Sequence, residues 1–167
     1  MNVFRLRALI SLILFWSLCA NGSNLSDEAR NRGINESCSL YLSQIEQSYK
    51  LNGLNITFAH PKSPSSFPSL HISSQTYNNG SSSFSATLAP DGDYCYLSTI
   101  LVTAINNQSC SEIAQLKTKN ENLQLSSYAD GKFIILTPED NSYQTILTVT
   151  DKNACTMTEA RMMWPGK

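Results

Sequence analysis

Two histidines, His60 and His71, are the residues of this chain best suited to move a proton near neutral pH. Either could act as a general base for a small hydrolase. Neither comes with the rest of such a machine, because the chain has no G-x-S-x-G and no S-x-x-K to supply a serine nucleophile. Both lie in a Ser-, Pro- and Asn-rich stretch that tolerates an exposed imidazole at little cost. The carboxylates are placed as turn formers. Asp91 and Asp93 flank Gly92, Asp130 precedes Gly131, Glu139-Asp140 follow Pro138, and Asp151 closes an apolar run. Nothing brings two of them onto one bond, as glycoside hydrolysis requires. Asp91-Gly92-Asp93 lacks the further ligands of a calcium loop. A phosphate-cradling P-loop and a G-x-G-x-x-G are both missing. The reading assigns no catalytic residue, no cofactor and no metal, and favours a non-enzymatic protein.

The cysteines carry more information. Cys38, Cys95, Cys110 and Cys155 show neither C-x-x-C spacing nor a histidine pair at ligand spacing, so disulfides are expected rather than zinc. An oxidising compartment follows, and the start of the chain agrees. Arg5 and Arg7 precede an apolar run from Ala8 to Leu18, and small residues follow at Ala20-Asn21-Gly22. This is the layout of a cleaved export signal over residues 1–22, too short for a permanent span of about 20 residues. The protein is therefore expected to be exported, periplasmic or secreted, and the compact signal suits a bacterial source. Lipid attachment at Cys19 is disfavoured because Leu18 is bulky next to the cut. N-x-Ser/Thr sequons at Asn21, Asn24, Asn35, Asn55, Asn79 and Asn107 would count only in a eukaryotic host, and the Asn- and Ser-rich composition accounts for much of their number.

Charge excludes another class. The 12 Lys plus Arg and 13 Asp plus Glu are scattered, without the basic cluster that displaces counterions from phosphates, so nucleic acid is not an expected partner. No second apolar segment approaches membrane-spanning length.

These residues need a frame. Residues 23–34 read as a flexible polar leader, and 35–167 as a single small domain. Cys38, Tyr41, Leu42, Ile45 and Tyr49 recur at helical spacing after an Asn35 or Ser37 cap, and Asn52-Gly53 supplies a stop. Leu54 to Phe58 and Phe84 to Leu88 alternate with polar residues as strands do. Pro90-Asp91-Gly92 turns the chain into a long run from Tyr94 to Ile105. Ser109 and Glu112 form a capping-box pair opening a short helix. Further strands are expected near Leu123, Phe133 and Tyr143, with Asp130-Gly131 as a hairpin turn. The stretch from Met157 to Trp164 fits strand or helix. Residues 60–83 contain Pro61, Pro64 and Pro68 and read as a long loop, with Leu70 to Ile72 as at most a short edge strand. The fold expected is α+β, a mostly antiparallel sheet of about five to seven strands packed against an N-terminal amphipathic helix and a short second helix. No internal repeat is visible.

Strand length bears on the bridges. An unbroken strand over residues 95–105 separates its ends by about 33 Å. Five residues can return only about 17 Å, so Cys95–Cys110 would require the strand to break or bend sharply near Ser98-Thr99 and is disfavoured. Cys38–Cys110 with Cys95–Cys155 is the pairing expected.

With no catalytic constellation, function is expected to be protein binding at the cell envelope, on the pattern of an inhibitor or immunity protein acting on a wall-active enzyme. The candidate contact residues are Phe67, His71 and Tyr77 in the long loop, and Tyr94 and Tyr96 on one strand face. Alternatives are a glycan- or lipid-binding module using Tyr94, Tyr96 or a pocket between helix and sheet, and the hydrolase with a loop histidine.

Overall fold

The computed structural model describes residues 24–163. The stretch expected to be an export signal, Cys19 and Trp164 lie outside them. Three helices, α1 (Leu25–Asn31), α2 (Glu36–Tyr49) and α3 (Cys110–Asn120), accompany eight strands. These are β1 (Leu54–Phe58), β2 (Ser69–Tyr77), β3 (Gly80–Asp91), β4 (Tyr94–Asn106), β5 (Leu123–Tyr128), β6 (Phe133–Pro138), β7 (Tyr143–Asp151) and β8 (Ala154–Met163). They form one antiparallel sheet in the order β1-β2-β3-β4-β8-β7-β6-β5. The α+β class is as expected, with eight strands instead of five to seven, and the closing stretch is a strand.

The topology repeats although the sequence does not. Each half is a helix followed by a four-strand meander, α2 with β1–β4 and α3 with β5–β8, and the fourth strands β4 and β8 pair at the centre. An antiparallel central pair places an approximate two-fold axis through the sheet. Ile100 faces Ala160 on that axis, and the same step of 60 residues (160 − 100) carries Cys95 onto Cys155.

The bridges follow this plan. Cys38 of α2 bonds Cys95 of β4, and Cys110 of α3 bonds Cys155 of β8, with Cα–Cα separations of 5.1 and 5.0 Å. All four cysteines are paired, but the expected connectivity is corrected. The case against Cys95–Cys110 holds, since β4 runs unbroken from Tyr94 to Asn106. The error lay in joining Cys95 to Cys155. Cys155 sits opposite Ile105, ten residues along β4 from Cys95 and therefore about 33 Å away. Each bridge instead pins a helix to the last strand of its own half.

The helices share one face of the sheet, over two separate buried clusters. Leu25, Ala29, Leu42, Phe84 and Leu88 belong to the first, and Ile113, Ile134, Leu136 and Leu147 to the second. Helix α2 starts where the Asn35 carboxamide accepts from the backbone N–H of Ser37 at 2.9 Å. It ends at Tyr49 because Lys50 turns left-handed, three residues before the glycine expected to stop it. The capping box of α3 is present, with Ser109 Oγ accepting from Glu112 N–H and the Glu112 carboxylate accepting from Ser109 N–H.

Two expectations fail for the same reason. The 23–34 leader contains α1, with Leu25 and Ala29 fully buried. The Glu46 carboxylate of α2 accepts from Leu25 N–H, Ser26 N–H and Ser26 Oγ, so a distant residue holds α1. The 60–83 loop shrinks to residues 59–68, because β2 begins at Ser69, just past the last proline, and only Asn78 and Asn79 separate β2 from β3. Serines that look like loop chemistry alternate inward and outward in register, Ser73 buried opposite Phe84 and Ser74 exposed opposite Ser83. Strand preference follows the packed environment more than the residue type.

Candidate binding face

Side chains alternate across each strand, so every second residue turns away from the helices. Cross-strand register then defines rows on that open face. One row is Ile56, Ile72, Ser85, Ile100, Ala160 and Gln144. The next is Phe58, Leu70, Thr87, Ser98 and Met162. On the other side run Leu54, Ser74, Ser83, Val102, Thr158, Ile146, Ile135 and Ser126.

Charge is confined to the margins. Only four charged residues occur in the eight strands: Asp91, Asp151, Glu159 and Arg161. Glu159 and Arg161 face the helices, and Asp91 and Asp151 are the last residues of β3 and β7. The interior of the open face is therefore uncharged. Its composition is uneven as well. Ile56, Phe58, Leu70 and Ile72 make an apolar corner on β1 and β2, and Tyr128, Phe133, Ile135 and Ile146 make another in the second half. Phe58 is 55% exposed and Leu54 69%. Between the corners lie small residues, mostly Ser, Thr and Ala, and a groove of about 690 Å³ crosses them at Leu54, Ser74, Ser83 and Val102.

The candidates named from the sequence do not converge. Tyr94 and Tyr96 stand on the open face at its β3–β4 corner, where the Asp91 carboxylate accepts from the Tyr96 hydroxyl and raises its pKa. Phe67 projects from the 59–68 loop and stacks on His60, ring centroids 4.4 Å apart. His60 Nδ1 accepts from the backbone N–H groups of Lys62 and Ser63, which folds the loop around the imidazole. Tyr77 is half-exposed at the far end of β2, hydrogen-bonded to Gln75 and Ser82.

His71 is fully buried under the helices. Its ring nitrogens bond Ser69 Oγ at 2.8 Å and Thr57 Oγ1 at 3.1 Å, and burial pushes its pKa down to about 4. It is placed as a core group and offers no surface to a partner.

Sequence reasoning missed the open face itself. The signal was available: the outward positions of successive strands carry Ser, Thr and apolar residues where a solvated sheet face usually carries Lys and Glu. Among the described residues no group of three or more His, Cys, Asp and Glu is placed to hold a metal ion. No described helix is long and apolar enough to cross a membrane. No protein-family model matches the chain, and neither a curated protein nor a solved structure does.

Proposed function

We propose that this is an exported, non-enzymatic protein-binding module that docks a folded partner on the open face of its sheet. The observation that carries this reading is the absence of charge from a face eight strands wide, together with its exposed apolar corners. Seven strand spacings of about 4.8 Å make the face ~34 Å across. A standard interface covers about 800 Å² per partner, which such a face accommodates. A partner surface rich in charge would lose hydration there without recovering it, so the fitting surface is itself uncharged, with apolar projections and hydrogen-bonding groups for the central hydroxyls. The two disulfides agree with an exported protein and hold α2 and α3 to the sheet, leaving the face rigid. An inhibitor or immunity-type action on a wall-active enzyme is the specific form of this reading.

The test is capture of a binding protein from the envelope fraction by the immobilised chain. Ile56→Lys and Ile100→Lys place a charge on the open face without touching the buried clusters, and each should abolish capture while leaving the circular-dichroism spectrum unchanged. Deletion of residues 62–66 should leave capture intact. Loss with the deletion but not with the lysines would move the site to the loop.

A further inference from the structure

Helices α2 and α3 each cover strands of their own half and are each pinned there by a disulfide, so a seam remains above the central β4–β8 pair. The described residues leave the seam unfilled. A cavity of about 350 Å³ lies between α2 and the sheet. Its wall is one stripe of α2, with Tyr41, Ile45, Ser48 and Tyr49 on successive turns. Its floor is two cross-strand pairs, Leu97 with Met163 and Thr99 with Arg161.

The polar groups in this seam are held in place. Arg161 donates through Nε and Nη2 to Glu159 Oε1 at 3.1 and 2.8 Å, and its guanidinium lies over the Tyr143 ring, 4.6 Å from the centroid. Glu159 is only 9% exposed, and its second oxygen lies 3.9 Å from Lys117 Nζ. Lys117 also faces Glu121 at 3.6 Å, and the Tyr143 hydroxyl donates to Glu121. Tyr49 packs on Phe84 with centroids 5.3 Å apart, and its hydroxyl interacts with Thr99 and Glu159. Glu159 is the buried member of the pair with Arg161, while the Arg161 side chain is 40% exposed and lines the cavity.

We propose that this cavity binds a single neutral sugar ring. Size sets the first limit, because 350 Å³ is at the small end of the range for ligand pockets, about 300–1,000 Å³. Charge sets the second. Arg161, the charged residue of the lining, already has Glu159 as its partner, so an anionic ligand would find its counter-ion engaged. A fatty chain would lie against Thr99 and the Arg161 guanidinium over half of the floor. A pyranose ring has an apolar face for Tyr41 and hydroxyls for Ser48, Thr99 and the guanidinium–carboxylate pair, which offers donors and acceptors side by side. This site is on the helix side of the sheet and is independent of the docking face.

Amide-resolved NMR of the full chain without its export signal tests the assignment, with neutral methyl glycosides of glucose, galactose and N-acetylglucosamine, and with glucuronate and hexanoate as charged comparators. At least one neutral glycoside should shift the amides of Tyr41, Ser48, Thr99 and Met163 with a dissociation constant of about 1–10 mM, as expected for a single ring. Ser48→Trp fills the cavity from an exposed helix position and should remove the shifts while the rest of the spectrum keeps its native dispersion. Tyr41→Ala should weaken binding about tenfold. No shift from any neutral glycoside, stronger shifts from glucuronate or hexanoate, or shifts that persist in Ser48→Trp would each overturn the proposal.

Discussion

His71 ties stability to pH in a way that can be isolated. In the folded chain it is fully buried, with Ser69 and Thr57 as its hydrogen-bond partners, and its pKa is down at about 4. Unfolding returns it to the ordinary value of about 6.5. Its folded pKa lies below its unfolded one, so the unfolded chain binds the extra proton between those values. The stability it contributes is complete above pH 6.5 and drains away as pH falls towards 4. The difference of about 2.5 units, at 1.36 kcal/mol each, amounts to about 3 kcal/mol by pH 4. Carboxylates held below their usual range by hydrogen bonds, Glu112, Glu121 and Asp140, also lose stability in acid. The comparison that separates them is His71→Gln, which cannot titrate but keeps the carboxylate terms. Urea unfolding at pH 7.5 and pH 4 should show the parent losing about 3 kcal/mol more than the variant over that interval, although the variant starts lower at pH 7.5. Equal losses in the two proteins, or an imidazole that titrates near pH 6.5 in the folded state by NMR, would refute the reasoning.

The bridges close loops of 57 and 45 residues, each worth about 4 kcal/mol by loop entropy. Cys110→Ser with Cys155→Ser should therefore speed hydrogen exchange in α3 and β6–β7 well before α2 and β3, and peptide mapping of the parent should find only Cys38–Cys95 and Cys110–Cys155. Ser109→Ala removes the side-chain cap of α3 and should cost about 1 kcal/mol in thermal or urea unfolding. Glu46→Ala leaves the backbone N–H groups of Leu25 and Ser26 without their acceptor, at about 1–3 kcal/mol for each buried group, so the amides of α1 should become the fastest-exchanging helical amides.

Much of the frame was legible because its signals are local. The Asn35 cap and the Ser109–Glu112 box act over a few residues and are found where the pattern places them. Leu54 to Phe58 is a strand as expected but turns its apolar side outward and buries Thr57. The turn expected at Pro90-Asp91-Gly92 falls at Gly92-Asp93, with Pro90 and Asp91 paired in β3. What escaped depends on distant partners. Helix α1 has seven residues and is marginal alone, and its anchor is Glu46, twenty residues further on. The Ser-rich β2 and β3 have weak strand preference and are held by neighbours on both sides. The disulfide pairing needed the strand order, because only the central β4–β8 pair shows that Cys95 and Cys155 lie towards opposite ends of the sheet. The open face stayed hidden because each strand was read for what it buries, not for what its other side leaves out.

The division of charge between the two sides of the sheet connects these features. Covalent bridges act only within each half, and the buried clusters are separate, so the halves are joined mainly by the ten-residue β4–β8 ladder and by the ionic seam above it. That ladder lies at the middle of the open face, where the residues are uncharged. A partner covering both apolar corners would span the joint and oppose any opening of one half against the other. The seam residues Arg161 and Glu159 share their strand with Ala160, which lies on the open face. Movement at the ladder is thus felt on both sides of the sheet, and the most central strand pair couples the charged side to the uncharged one.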